Sequence, residues 1–344
     1  MKATFFKHTL QFKQASGTSR GVLTLKDTWF IKLENNTLKG IGECGMFKGL
    51  SIDHRDDFEL KLKWTCQNID LGLEVLLGQL VSFPSIQFGL EMAFASLNNK
   101  SPFELFPSEF TKGKDSIPIN GLIWMGESSF MKQQIKDKLE RGFSCIKLKI
   151  GALNFERELA LLKSIRNEYD MQTIEIRIDA NGAFKPNEAL EKLKQLSEYN
   201  LHSIEQPIKQ GQIDDMAQLC LDTPIPIALD EELIGIFSVT NKQFLLQTIK
   251  PQYIILKPTL VGGFKGSQQW IDVAESNKIG WWVTSALESN IGLNAIAQWT
   301  YTLNNTLPQG LGTGGLFTNN VQAPLVVRSG RLFYDLKTKW NLKF

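Results

Sequence analysis

Charged residues close apolar, strand-like runs through the second part of this chain, and they recur every 25 to 30 residues. They are Lys149 in CIKLKIG, Asp179 in IEIRIDAN, Glu205 in SIEQPI, Asp230 in IPIALDEE and Lys257 in YIILKP. A strand with its return helix in a parallel α/β fold takes about thirty residues. So regular an interval leaves few folds open, because each unit adds one more parallel strand to the same sheet. Side chains alternate across a strand, so residues two apart share a face. In IEIRIDAN, Ile174, Ile176 and Ile178 take the helix-facing side, while Arg177, Asp179 and Asn181 take the other. Ile225, Ile227 and Leu229 face outward in IPIALDE and leave Asp230 facing in. Lys147 and Lys149 likewise share the inner face of CIKLKI. The register agrees in all three, and each charge falls at the C-terminal end of its strand, where barrels keep their active sites.

Eight strand-like segments run from IPINGLIW (117–124) to the LPQGLGTGG region, separated by amphipathic stretches such as NEALEKLKQLSEY. This alternation predicts an α/β chain with a (β/α)8-type, modified TIM barrel. A doubly wound sheet normally carries a glycine fingerprint after its first strand, and Asn120-Gly121-Leu122-Ile123 is not one. Residues 1 to 112 lack this rhythm. TFFKHTLQFKQ, GVLTLKDTWFIKLEN and TLKGIGECG read as three strands, followed by two helical stretches, which makes an α+β module. Lys112 to Asp115 reads as the linker out of it.

At 344 residues, with 42% hydrophobic and 22% charged residues, the chain can bury a full core in about two domains. A net charge of +2 with scattered lysines gives no stripe for nucleic acid. The N-terminal MKATFFKHTLQFKQ has no signal-peptide pattern, and no apolar run reaches membrane-spanning length. Cys44, Cys66, Cys145 and Cys220 lack metal spacing and read as reduced thiols. The expectation is a cytoplasmic protein without membrane or nucleic-acid partners, acting on a small molecule; an oligomer is compatible with it.

Asp179, Glu205 and Asp230 on neighbouring strands can converge on one hard cation, Mg²⁺ or Mn²⁺ in its place. Lys149 precedes this trio and Lys257 follows it, so the two amines approach a metal-held substrate from opposite sides. A single strand-end Asp is more often a helix cap, but five charges in register outweigh that reading. His8, His54 and His202 form no spaced pair, and Ser285 and Ser289 have no neighbouring histidine for a hydrolase triad. GLGTGGL (310–316) is either a flexible turn or a nest of N–H groups for an anion. A Schiff-base aldolase using Lys257 leaves the carboxylates unexplained, and a binding barrel without catalysis predicts that removing Lys149 leaves ligand affinity and function intact.

K-x-K, D-A-N, E-Q-P, D-E and L-K-P, in this order and spacing, resemble the enolase superfamily and its muconate-lactonizing subgroup. The resemblance implies a capping domain over 1–112, a barrel over 113–317 and a tail over about 318–344 returning to the cap. It implies Mg²⁺ on Asp179, Glu205 and Asp230, Lys149 as the base removing a proton α to a carboxylate, and Lys257 on the opposite face. Lys147 would hold the carboxylate. The P-I-N-G-L-I segment, Arg177 ahead of D-A-N, and Ser285 with Glu288 in TSALESNIG resemble members that dehydrate a cyclohexadiene carboxylate. Arg20 in GTSRGVLTLKD, Asn181, Gly312, Thr313 and Gly314 are the further substrate contacts so implied. GECGMFKG (42–49) departs from the subgroup's E-I-S-P-L-P-G. Dipeptide epimerases or N-acylamino acid racemases share the scaffold. The epimerases' acidic pair near the last strand is replaced here by Gly312-Thr313-Gly314.

Overall fold

The three N-terminal runs form an antiparallel meander of β1 (Lys2–Thr18), β2 (Gly21–Asn35) and β3 (Leu38–Cys44) in a computed structural model of the chain. The structure describes residues 1–18, 21–35, 38–97, 99, 101–151 and 154–342. Three helices follow: α1 (Phe58–Gln67), α2 (Leu73–Gln79) and α3 (Pro84–Leu97). Period-2 alternation gives β2 two apolar faces. Trp29, Ile31 and Leu33 pack with Phe58, Leu62 and Leu90 of the cap helices, while Phe30 joins the core of the barrel. β3 lies so close to α3 that a Cβ on Gly42 would stand 1.8 Å from the Gly89 carbonyl oxygen.

The 25-to-30-residue beat then becomes a parallel sheet. After β4 (Ser116–Pro118) come β5 (Gly121–Ile123), α4 (Ser128–Glu140), β6 (Cys145–Lys149), α5 (Phe155–Glu168), β7 (Glu175–Asp179) and α6 (Pro186–Ser197). The series continues through β8 (Ser203–Glu205), α7 (Ile213–Asp222), β9 (Ile227–Leu229), α8 (Val239–Ile249) and β10 (Tyr253–Leu256). It ends with α9 (Pro258–Val261), α10 (Gly263–Ser276), β11 (Gly280–Val283) and α11 (Asn290–Thr302). Strands β5 to β11 pair in chain order, all parallel.

Two expected strands differ. IPINGLIW is not one strand: β4 pairs antiparallel with the C-terminal hairpin, and only β5 enters the barrel. Pro118 has no N–H, and the next amides go to different partners, Ile119 to Gly330 O and Asn120 to Gln309 O. In the LPQGLGTGG region, Gln309 and Gly310 make only isolated parallel bridges, to Ile119 and Thr284. Pro308 and the glycines at 310 and 312 keep this contact short, yet it joins the two edges of the sheet. The hairpin of β12 (Leu325–Arg328) and β13 (Arg331–Tyr334) covers β4. Beyond it Trp340 stacks on Phe103 at 4.2 Å, and ahead of it Asn319 donates to Thr9 O of β1 at 2.8 Å.

Outward-facing isoleucines and leucines pack under the helices, whereas Ala228, Ile255 and Trp282 fill the barrel's interior. Two carboxylates of the N-terminal region seat on helix N-termini of the barrel, where free N–H groups and the helix dipole favour negative charge. Glu43 accepts from Ser289 N (2.8 Å) and Gly292 N (2.9 Å) at the start of α11. Glu91 accepts from Phe264 N (2.5 Å) and Lys265 N (3.0 Å) of α10.

Gly42→Ala should cost about 3 kcal/mol, because α3 has to move off β3; a urea titration reads this as a lowered midpoint at unchanged slope. Burial raises Glu91 from 4.5 to about 7 against the pull of the Lys265 and Phe264 amides. Between those values the folded chain keeps a proton that the unfolded chain releases, so this contribution to stability falls as pH rises through the window. Glu91→Gln should therefore lose less stability than the wild type between pH 5 and pH 8, measured by the same titration.

Candidate active site

Strand register brings the mouth together. Lys149 lies opposite Asp179 in the β6–β7 pair, and Asp179 lies opposite Glu205 in the β7–β8 pair. Asp230 and Lys257 immediately follow β9 and β10. The five strand-end charges thus share one end of the barrel. All three carboxylates are buried, so they persist as charges only if compensated. Lys149 Nζ donates to Asp179 Oδ2 (2.8 Å) and Asn181 Oδ1 (2.7 Å). Lys147 Nζ lies 3.0 Å from Asp179 Oδ2 and also pairs with Glu205, while Lys257 pairs with Asp230. Three lysine side chains meet three carboxylates.

The electrostatics follow from that count. Burial pushes Asp179 up, but Lys147 and Lys149 outweigh it and hold its carboxyl well below the usual range. For Lys147 burial favours the neutral amine, and Asp179 and Glu205 reverse this and raise it. Lys257 is raised in the same way, by Asp230 and Glu205 against burial. Glu205 is the least satisfied member. Burial and the charge of Asp179 raise it, and its Oε1 is buried without a hydrogen-bond partner.

That orphaned oxygen bears on a metal. Among the described residues no three Asp, Glu, His or Cys side chains are gathered at ligating distance; Lys147 lies between Asp179 and Glu205, and Lys257 sits on Asp230. The donor set itself, three carboxylates from consecutive strands with one lone pair unused, fits a hard divalent cation. Such an ion would replace the bridging contacts of Lys147.

A cavity of about 110 Å³ opens above these charges. Lys147, Lys149, Asp179 and Lys257 form its floor, and Asn181, Ser285, Gly312 and Thr313 line its walls. Ser285 and Thr313 share a hydrogen bond of 2.6 Å between their hydroxyls. Three expected contacts lie elsewhere. Arg177 faces inward but belongs to a deeper layer: it bonds Glu175 (2.7 Å) and Pro308 O (2.8 Å) and lies 4.3 Å over the Trp282 ring. A residue two before Asp179 sits about 6.5 Å lower along the strand, and the guanidinium turns down rather than up. Glu288 turns away from the cavity to accept from Ala286 N and the Thr259 hydroxyl, and Gly314 packs against Asn290 of α11. Arg20 lies outside the described residues.

Several lining residues went unread in the sequence. Asn120, Leu122 and Trp124 reach the cavity in the same alternation that placed the lysines, so the signal was available. Glu231, beside Asp230, accepts from Asn181 Nδ2 at 3.0 Å. Phe47 and Leu50 come down from the loop after β3, where no periodicity marks them.

Residues 131–335 match the family model described as enolase C-terminal domain-like. The chain belongs to the enolase superfamily. Among relatives in this superfamily, an o-succinylbenzoate synthase of Desulfotalea psychrophila is 45% identical, covering 96% of this chain and 98% of its own. The crystal structure of MenC from the same organism superposes with a TM-score of 0.87 at 43% identity, over 97% of this chain and 99% of that one. An L-Ala-D/L-Glu epimerase of Francisella tularensis subsp. novicida is 31% identical over 48% of this chain and 46% of its own. The superfamily fold also accounts for the meander and helices preceding the barrel, since the MenC match spans them.

Lys147→Met would leave Asp179 and Glu205 facing each other without their shared cation. The metal-free variant should lose about 3 kcal/mol, and Mg²⁺ should raise its melting temperature more than that of the wild type. Thermal unfolding with and without Mg²⁺ checks this. Equal Mg²⁺ shifts would remove the carboxylates from the ligand set.

Proposed function

We propose that this chain is a lyase carrying out the o-succinylbenzoate synthase reaction of menaquinone biosynthesis. The substrate is 2-succinyl-6-hydroxy-2,4-cyclohexadiene-1-carboxylate (SHCHC), and syn-elimination of water from it yields the aromatic product. The observation that carries this reading is near-full-length likeness to a synthase at 45% identity. It is supported by two lysines flanking a buried carboxylate floor under an apolar roof.

In this reading Asp179, Glu205 and Asp230 hold Mg²⁺, with Mn²⁺ able to replace it. When bound there, the ion would supply positive charge to the substrate carboxylate, whose α-proton is otherwise only weakly acidic. Lys149 Nζ takes the α-proton. The electron pair left on carbon forms the new ring double bond as the C–O bond breaks. The Lys149 ammonium returns the proton to the departing hydroxyl on the same face, and water leaves. Asn181 Oδ1, 2.7 Å from Lys149 Nζ, orients the amine. Lys257, raised by its carboxylate neighbours, stays protonated on the opposite face and steadies the negative charge that develops. Leu122, Trp124, Phe47 and Leu50 offer a flat ring an apolar enclosure and keep water away. The four free cysteines accord with a cytoplasmic enzyme.

Lys149→Ala should lower kcat by about four orders of magnitude with Mg²⁺ affinity retained. Loss of the diene absorbance of SHCHC reads turnover, and EDTA should stop it in the wild type. If the wild type leaves SHCHC intact but exchanges the α-proton of N-acylamino acids or dipeptides in D₂O, the activity is racemisation or epimerisation instead.

A further inference from the structure

Glu288 is fully buried and does not line the cavity. Its Oε2 accepts from Ala286 N at 2.8 Å, and its Oε1 accepts from the Thr259 hydroxyl. These donors belong to two segments that build one wall. Thr259 lies two residues after Lys257, in the first turn of α9. Ser285, Ala286 and Leu287 face the cavity directly. Leu287 has φ 61°, a left-handed conformation that a branched, bulky residue resists. The Glu288–Ala286 bond closes the turn around this residue. The strain is therefore held by the side chain that also grips α9.

The cap supports the same carboxylate. A Cβ on Gly45 would stand 3.2 Å from Glu288 Cγ and 3.6 Å from both Lys26 Nζ and Thr259 Cγ2, so the cap backbone rests against all three. Lys26 Nζ donates to Gly45 O at 3.3 Å, and its buried charge faces Glu43 and Glu288. Two residues past Gly45, Phe47 enters the cavity. A neutral amide keeps one acceptor oxygen for Ala286 N and turns the contact with Thr259 round, so that the hydroxyl accepts from its NH2, and it leaves Lys26 facing one fewer negative charge.

We propose that Glu288 is a positioning residue: it ties the segment after Lys257 to the Ser285–Leu287 wall, and Lys26 and Gly45 hold it there when the cap is docked. The proposal rests on reading the cavity as the place of α-proton removal. Thr259 Oγ and Ala286 N are its points of action, and the reacting atoms are out of its reach.

The test compares Glu288→Ala, Glu288→Gln and Thr259→Val in the Mg²⁺-loaded enzyme. Glu288→Ala and Thr259→Val should each lower kcat for SHCHC about tenfold or more, with KM and Mg²⁺ affinity little changed. Glu288→Gln, which keeps an acceptor for Ala286, should recover most of that loss. A wild-type kcat in Glu288→Ala accompanied only by a lower melting temperature overturns the proposal, as does a raised KM at unchanged kcat. Hydrogen exchange without substrate gives a reading independent of turnover. The Ala286 and Leu260 amides should exchange at least tenfold faster in Glu288→Ala, and unchanged rates sink the tether even if SHCHC is not the substrate.

Discussion

Everything at the barrel mouth depends on Lys147 lying between Asp179 and Glu205. Three carboxylates at the ends of adjacent parallel strands repel one another, and burial adds to the cost of each charge. The fold tolerates them because the next inward position on β6 carries a side chain long enough to climb from a lower layer to the rim. Lys257 does the same for Asp230 from the other side. Each of the three carboxylates therefore has a lysine beside it without metal, and a divalent ion entering the site would exchange one form of compensation for another. In the proposed reading metal binding would be a redistribution of contacts, in which the unsatisfied oxygen of Glu205 would gain a partner.

The cap depends on the same principle in a different form. Glu43 and Glu91 are placed on helix N-termini of the barrel, where otherwise unpaired N–H groups receive them. Neither contact is long-range in energy, since a dipole acts within its first turn. Two such contacts on separate helices still fix an orientation that one could not. That orientation decides where the loop after β3 falls, and hence whether Phe47 and Leu50 roof the cavity.

Much of this was legible before any coordinates. Interval and alternation together located the strand ends, because both follow from backbone geometry that sequence cannot disguise. The α/β barrel class was legible for similar reasons. Failures came where one residue governs direction. Pro118 divides a segment that reads as one apolar run. Arg177 shares the correct face but sits one layer too deep, and alternation carries no information about depth. Glu288 was implied by the resemblance alone, and the left-handed Leu287 before it turns the Glu288 side chain to Ala286 and Thr259 rather than to the cavity. The roof was unreadable because Phe47 and Leu50 lie in a loop whose contacts are set by the docking of the cap.

Two lysines on opposite faces of a carboxylate-held substrate are equally suited to elimination and to inversion at the same carbon. On the proposed roles the floor of this barrel does not distinguish the two, since either would begin with Lys149 and a proton α to a carboxylate. Discrimination must come from what the walls do to the carbanionic species once it forms. If Lys257 can reach its carbon, a second proton arrives and the configuration inverts. If the ring is held so that its hydroxyl stays beside Lys149, water departs first. Lys257 is kept on Asp230, and the segment after it is tied through Thr259 to Glu288. Those contacts restrain the second amine. In the proposed reading, a wall that keeps Lys257 beside the ring as a charge and away from its carbon as a proton donor would favour dehydration with the same floor that, under a looser wall, would racemise.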